Sequence, residues 1–168
     1  MDVQGLLIEL FGRVGDHVHR AVDGLDAEGL ARSPAPGTNS VGWLVWHLTR
    51  VQDHHVSELL DQPQVWVEGD WAARVGVAAD PDNTGYGHTP EQVAAIRPDG
   101  PATLIGYYQA VAERTAGLLA TTTPDDLDRI VDRRWDPPVT LGVRLVSIAD
   151  DDIQHAGQAA YVRGLLDA

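Results

Sequence analysis

The sequence contains no cysteine and no lysine. Without cysteine there is no disulfide scaffold, thiolate nucleophile, iron–sulfur cluster or thiolate-held structural zinc. Any metal must then be held by His, Asp or Glu, and any thiol in the chemistry must arrive with a substrate. All 12 basic residues are arginine, set against 25 acidic residues, for a formal net charge of −13. That field has the wrong sign for nucleic-acid phosphates or an anionic membrane. The acidic residues form no long single-sign run, so they read as a solubilising surface. No stretch approaches the roughly 18 to 20 apolar residues of a membrane span. The start, Met1-Asp2-Val3-Gln4, lacks the basic patch and apolar run of a secretory signal. The expectation is a soluble, cytoplasmic protein.

What is present is helical periodicity. With 168 residues and 43% hydrophobic content, the chain suits one domain over residues 1–168. Four segments space their apolar residues by three and four. The first runs from about Gln4 to Leu25 and ends before Ser33-Pro34-Ala35-Pro36-Gly37. The second follows a cap at Asn39 or Ser40 and reaches about Asp61. The third covers Pro101 to Leu119, and the fourth runs from a Thr140 cap to about Leu166. These lengths predict an all-α four-helix bundle, and the long connection between the second and third helices, Gln62 to Gly100, predicts at least one crossover. Within that connection Thr89-Pro90-Glu91-Gln92 reads as a capping box opening a short helix to Ile96. The rest, including Trp66, Trp71 and Tyr86, reads as a partly ordered flap that covers one end of the bundle.

Two polar stripes border apolar tracks. On the last helix Arg144, Ser147, Asp151, His155 and Gln158 share one face, and on the second Trp43, His47, Arg50, His54 and Glu58 do. Asp151 and His155, at i and i+4, set a carboxylate and an imidazole one turn apart, as helix-borne metal ligands are. His47 lies in a strongly apolar stretch and could add a second imidazole, giving a facial set with open positions. By spacing alone, a hydrogen-bonded core histidine and a surface ion pair remain the commoner explanations. His17, His19, His54, His55 and His88 read as surface or supporting residues.

The letters themselves say more. Gly42-Trp43-Leu44-Val45-Trp46-His47-Leu48 and Asp151-Asp152-Ile153-Gln154-His155-Ala156-Gly157-Gln158 resemble the DinB-like superfamily. They are closest to its mycothiol-dependent branch, which includes the N-terminal domain of mycothiol-dependent maleylpyruvate isomerase. The resemblance implies a four-helix bundle with one divalent ion, zinc or alternatively nickel, iron or manganese, bound by His47, Asp151 and His155. Aspartate stands where many members have histidine and the isomerase has glutamate, and the neighbouring Asp152 is the alternative carboxylate. Arg144 or Arg50 could hold a substrate carboxylate or tune Asp151, and the resemblance places Gly157 where two helix backbones approach closely and Gln158 beside the site. It further implies transfer of a low-molecular-weight thiol to a small electrophile, or thiol-dependent isomerisation, with a homodimer as a further expectation. The sequence stops at Ala168, just past the last helix, without the isomerase's C-terminal domain, which favours the metal–thiol half of that chemistry. A metal-dependent hydrolase and a non-catalytic metal- or ligand-binding bundle are the alternative readings.

Overall fold

The computed structural model describes residues 1–166. Its long helices are α1 (Val3–Val22), α3 (Val41–Leu60), α7 (Pro101–Thr121) and α8 (Leu141–Leu166). Short helices α2 (Ala27–Ala31), α4 (Val65–Glu68), α5 (Trp71–Val75) and α6 (Pro90–Ala95) occupy the connections. A 3-10 turn at Pro124–Asp128 and a small antiparallel pair, β1 (Ile130–Asp132) and β2 (Val139–Thr140), lead into α8. The fold is therefore all-α, as the periodicity predicts.

The caps explain the boundaries. Ser40 Oγ accepts from Trp43 N at 3.1 Å and opens α3, while Thr89 and Gln92 close a reciprocal capping box on α6. Thr140 Oγ1 accepts from Val143 N to start α8. The first helix ends earlier than expected, at Val22; the apolar Leu25 lies in the turn that follows, and Leu30 belongs to a separate short helix capped by Asp26.

Two buried apolar clusters fix the helix directions. One holds the second half of α1 (Val14 to Val22), the first halves of α3 (Val41 to Leu48) and α7 (Leu104 to Val111), and the second half of α8 (Ala156 to Val162). The other holds Phe11, Val56, Leu118, Leu119 and the start of α8, Leu141 to Ala149. So α1 and α8 run one way and α3 and α7 the other. A helix of 20 residues spans about 30 Å, and the α3–α7 connection has to return that whole length. Its 40 residues are a crossover.

The connection is not a flap. Trp66 is fully buried, packed edge-on against Trp46 and tilted against Tyr107, and Trp71 lies against Tyr107 as well. Of the three aromatics expected to cover the site, Tyr86 alone stays exposed. What anchors the segment is a buried ion pair on α3. Arg50 and Asp53 are both 0% exposed. Arg50 donates to the carbonyls of Asn83 (3.0 Å) and Pro81 (2.9 Å), and lies over the Trp66 ring at 5.0 Å. Asp53 accepts from the backbone N–H of Val65 (3.0 Å) and Trp66 (2.8 Å) and from the Tyr107 hydroxyl (2.8 Å). Removing one partner of such a pair leaves an uncompensated buried charge, which typically costs ~3–5 kcal/mol. Asp53→Ala is expected to lower unfolding free energy by about that amount in urea titrations, and a loss below about 1 kcal/mol would show that the clamp is not what holds the connection.

Candidate metal centre

Helices α3 and α8 pack side by side, which brings His47 of the one against Asp151 and His155 of the other. One ligand atom from each lies within 4.8 Å of the other two. His47 Nε2 is 4.0 Å and His155 Nε2 3.6 Å from Asp151 Oδ1. The two imidazoles meet edge to face with centroids 4.7 Å apart.

Each ring is oriented from behind. His47 Nδ1 lies 2.6 Å from the carbonyl oxygen of Thr84, and His155 Nδ1 lies 2.8 Å from Gln158 Oε1. Thr84 O can only accept, so His47 carries its proton on Nδ1 and keeps the Nε2 lone pair toward Asp151. A Gln158 amide with Oε1 toward the ring fixes the same tautomer at His155. Imidazoles that bind metals are held in this way, by a carbonyl or carboxylate on the second nitrogen. Burial, with smaller contributions from His155 and His88, lowers the His47 pKa to about 4, against the Thr84 bond that raises it. Its lone pair is therefore free at neutral pH. Asp151 is shifted upward, first by burial and then by Asp150, against the opposing pull of His155. Its Oδ2 is buried without a hydrogen-bond partner. Two converging lone pairs and an orphaned carboxylate oxygen suit one divalent cation.

Asp152 faces elsewhere. It is fully buried, neither carboxylate oxygen has a partner, and its charge acts on Tyr108 of α7. Burial, reinforced by Asp151, pushes its carboxyl well above the usual carboxylate range.

The connection closes over His47. Gly85 adopts φ +94°, and a Cβ there would lie 2.8 Å from both His47 Nδ1 and Trp46. Trp43 stacks on His47 at 4.6 Å and donates its indole N–H to His88 Nδ1, whose Nε2–H is held by Asn83 Oδ1 at 2.8 Å. Thr84, Gly85 and His88 carry no signal in the sequence that ties them to His47, since the link is 37 residues long for Thr84. Gln158 could be found from its i+3 spacing to His155. Gly157 is not at a close helix contact, because nothing lies within 4 Å of a Cβ built there.

The centre opens into a cleft of about 380 Å³ lined by His47 and Asp151 and, further along, by Val51, His54, His55 and Tyr86. His54, His55 and Glu58 form a second close cluster. It is poorly suited to a cation. Arg144 donates to His55 Nε2 at 3.3 Å, and Arg134 pairs with Glu58 at 3.1 Å. Burial, followed by Arg144, His54 and Arg134, holds the His55 pKa down at about 3. Arg144 also pairs with Asp132 of β1 at 2.9 Å, so its guanidinium braces the far wall of the cleft.

Two similarities bear on this site. The model of a family described as mycothiol-S-transferase matches residues 6–168. The crystal structure of a conserved protein from Enterococcus faecalis is similar over 99% of this chain and 98% of its own, with 30% identity and a TM-score of 0.90. No curated protein matches the sequence.

His47→Ala and His155→Ala are each expected to abolish tight zinc binding in calorimetry, and Asp151→Ala to weaken it by at least about 10-fold. Asp152→Asn should leave affinity within about twofold, since Asp152 lies outside the cluster. The opposite pattern between the two aspartates would move the site. Asp152 also predicts a pH effect. The folded chain keeps this proton, whereas the unfolded chain releases it near pH 4. The stability tied to the protonated form is full at low pH and is lost as pH rises above that point. Asp152→Asn mimics the protonated acid, so its stability relative to wild type should rise between pH 4 and pH 8 by more than about 1 kcal/mol in metal-free protein. A flat difference would mean that Asp152 is ionised in the fold.

Proposed function

Because the chain belongs to the mycothiol-S-transferase family, we propose that it is a metal-dependent thiol S-transferase that joins a low-molecular-weight thiol of the mycothiol type to a small electrophile. The supporting observation is the two-imidazole, one-carboxylate cluster at the wall of an open cleft, with both rings already set in the ligating tautomer. His47, Asp151 and His155 would hold a divalent ion, zinc or alternatively nickel, iron or manganese. When bound, such an ion supplies Lewis acidity that lowers the pKa of a thiol, so that thiolate is present near neutral pH.

The chain's own residues do the rest. Thr84 O and Gln158 Oε1 keep the two rings from rotating as the thiol enters. Half-buried Asp151 carries one charge into the set, so two neutral imidazoles and one carboxylate leave a net positive centre that attracts a thiolate. Val51 and the Tyr86 ring give the cleft an apolar side for the electrophile, while His54 and Ser147 give it polar contacts. Arg144 acts at a distance from the thiol: paired with Asp132 behind the cleft, it holds His55 in the far wall. The absence of cysteine means that no residue competes for the metal or is alkylated by the electrophile.

Untagged protein loaded with zinc should form the S-conjugate of 1-chloro-2,4-dinitrobenzene with mycothiol or a thiol analogue. The rate should depend on both thiol and metal. His155→Ala should lower kcat/KM at least about 100-fold. Metal-dependent hydrolysis of p-nitrophenyl acetate without any thiol, and no conjugate across a thiol panel, would replace this reading with a hydrolase.

A further inference from the structure

Where the neighbouring arginines go decides what the cleft beside His47 can hold. Arg50 is 0% exposed, engaged by Asp53 and by the carbonyls of Pro81 and Asn83. Arg144 pairs with Asp132 behind the wall, and Arg134 pairs with Asp132 and Glu58. Among the described residues the cleft lining therefore contains no arginine, and its acidic side chains are Asp82 and Asp151. Asp151 belongs to the metal centre. Asp82 is exposed and lies between Pro81 and Asn83, whose carbonyls Arg50 holds, so its place at the cleft is fixed from both sides. A divalent ion bound by one carboxylate and one thiolate has no net charge left, so Asp82 sets the sign of the field that an electrophile meets.

The uncharged polar groups of the cleft are a donor and an acceptor. Because α3 and α8 run in opposite directions, His54, two turns after His47, and Ser147, one turn before Asp151, lie on the same side of the metal centre. Gln64 Nε2 donates to Pro81 O at 3.2 Å and lies 3.1 Å from His54 Nδ1. The carbonyl can only accept, so the amide nitrogen is the atom between them, His54 Nδ1 accepts from it, and the imidazole proton sits on Nε2. Among the described residues nothing accepts from that N–H, and it is not sealed from solvent. Ser147 gives its hydroxyl proton to Val143 O at 2.9 Å, which leaves its oxygen as an acceptor.

A carboxamide matches this pair, with its C=O for His54 and its N–H for Ser147. A carboxylate has no N–H for Ser147 and meets the like charge of Asp82. An ammonium group has nothing to accept from His54. We propose that the cleft selects an uncharged electrophile bearing a carboxamide, read by His54 and Ser147, and that Asp82 rejects the carboxylate counterpart. The inference rests on the transferase reading for the reaction, whereas the recognition belongs to these three residues and needs no turnover.

4-Chloro-3,5-dinitrobenzamide and 4-chloro-3,5-dinitrobenzoate test it, since they share a reacting carbon and a shape and differ in one group. In ligand-observed NMR titrations of metal-free protein at low salt, the benzamide is expected to bind saturably and about tenfold more tightly than the benzoate. Added salt should shrink that ratio, because Asp82 is exposed. Asp82→Asn should reduce it at least about threefold by tightening the benzoate. His54→Ala should weaken the benzamide about fivefold, and Ser147→Ala should weaken the benzamide while leaving the benzoate within about twofold. Absence of saturable benzamide binding overturns the proposal. So does an unchanged ratio in Asp82→Asn, or unchanged benzamide affinity in His54→Ala. Zinc-loaded protein should show the same preference in kcat/KM, relative to the uncatalysed rates. Failure to conjugate either compound, with the NMR preference intact, would uphold the recognition and remove the transferase reading.

Discussion

The Arg50–Asp53 pair on α3 is the constraint on which the rest of the structure depends. Two charges with 0% exposure are tolerated only when nearly every donor and acceptor is satisfied. Here the partners are mostly backbone groups of the α3–α7 connection: the carbonyls of Pro81 and Asn83, and the N–H groups of Val65 and Trp66. The electrostatic demand of the pair thereby ties down this long segment near its start and at its middle. Asn83 precedes Thr84, whose carbonyl holds His47, so a buried charge one turn along α3 governs how the candidate ligand is presented. Gly85 completes the arrangement, because only a residue without a side chain lets the connection pass this close to the ring.

Much of the fold is legible in the sequence because it is local. Caps at Ser40, Thr89 and Thr140 and the three- and four-residue spacing of apolar positions specify α3, α6, α7 and α8 by interactions within a turn or two. The short helices α4 and α5 are not specified in that way. Neither has a side-chain cap, and Trp66 is held by Asp53 and by the rings of Trp46 and Tyr107, partners 13 to 41 residues away. Periodicity cannot register such a segment, so it reads as a flap. The signal that was available is Arg50 and Asp53 at i and i+3 inside an apolar helix, where two charges need partners from elsewhere.

The site divides along the same line. Asp151, His155 and Gln158 are neighbours on one helix face, and their juxtaposition follows from spacing. His47 joins them only through the packing of α3 on α8, so letters shared with a family point to it where spacing does not. The choice between Asp151 and Asp152 depends on 100° of helix rotation. Asp151 is turned toward the two imidazoles, whereas Asp152 is turned into the layer where the two apolar clusters are interrupted. Sequence holds that information only once the direction of the core is known.

The electrostatics of the cluster are those of a site that is stabilised by a cation. Burial disfavours charge on His47 and on Asp151 alike, so one sheds its proton easily and the other gives up its proton reluctantly. Neither ring nitrogen facing the cluster lies within hydrogen-bond distance of Asp151 Oδ1, at 3.6 and 4.0 Å, and Oδ2 has no partner at all. The rings cannot turn to improve this, because Thr84 and Gln158 hold them from behind. A cation bound by these three residues would satisfy both lone pairs and the carboxylate in one step, with no change of rotamer and, at neutral pH, no proton to displace from His47. Since the unfolded chain lacks the arrangement, the binding free energy adds to the stability of the fold in proportion to RT ln(1 + [metal]/Kd). Metal affinity and fold stability are then coupled through the same Thr84 contact, and both trace back to the buried pair that holds the connection in place.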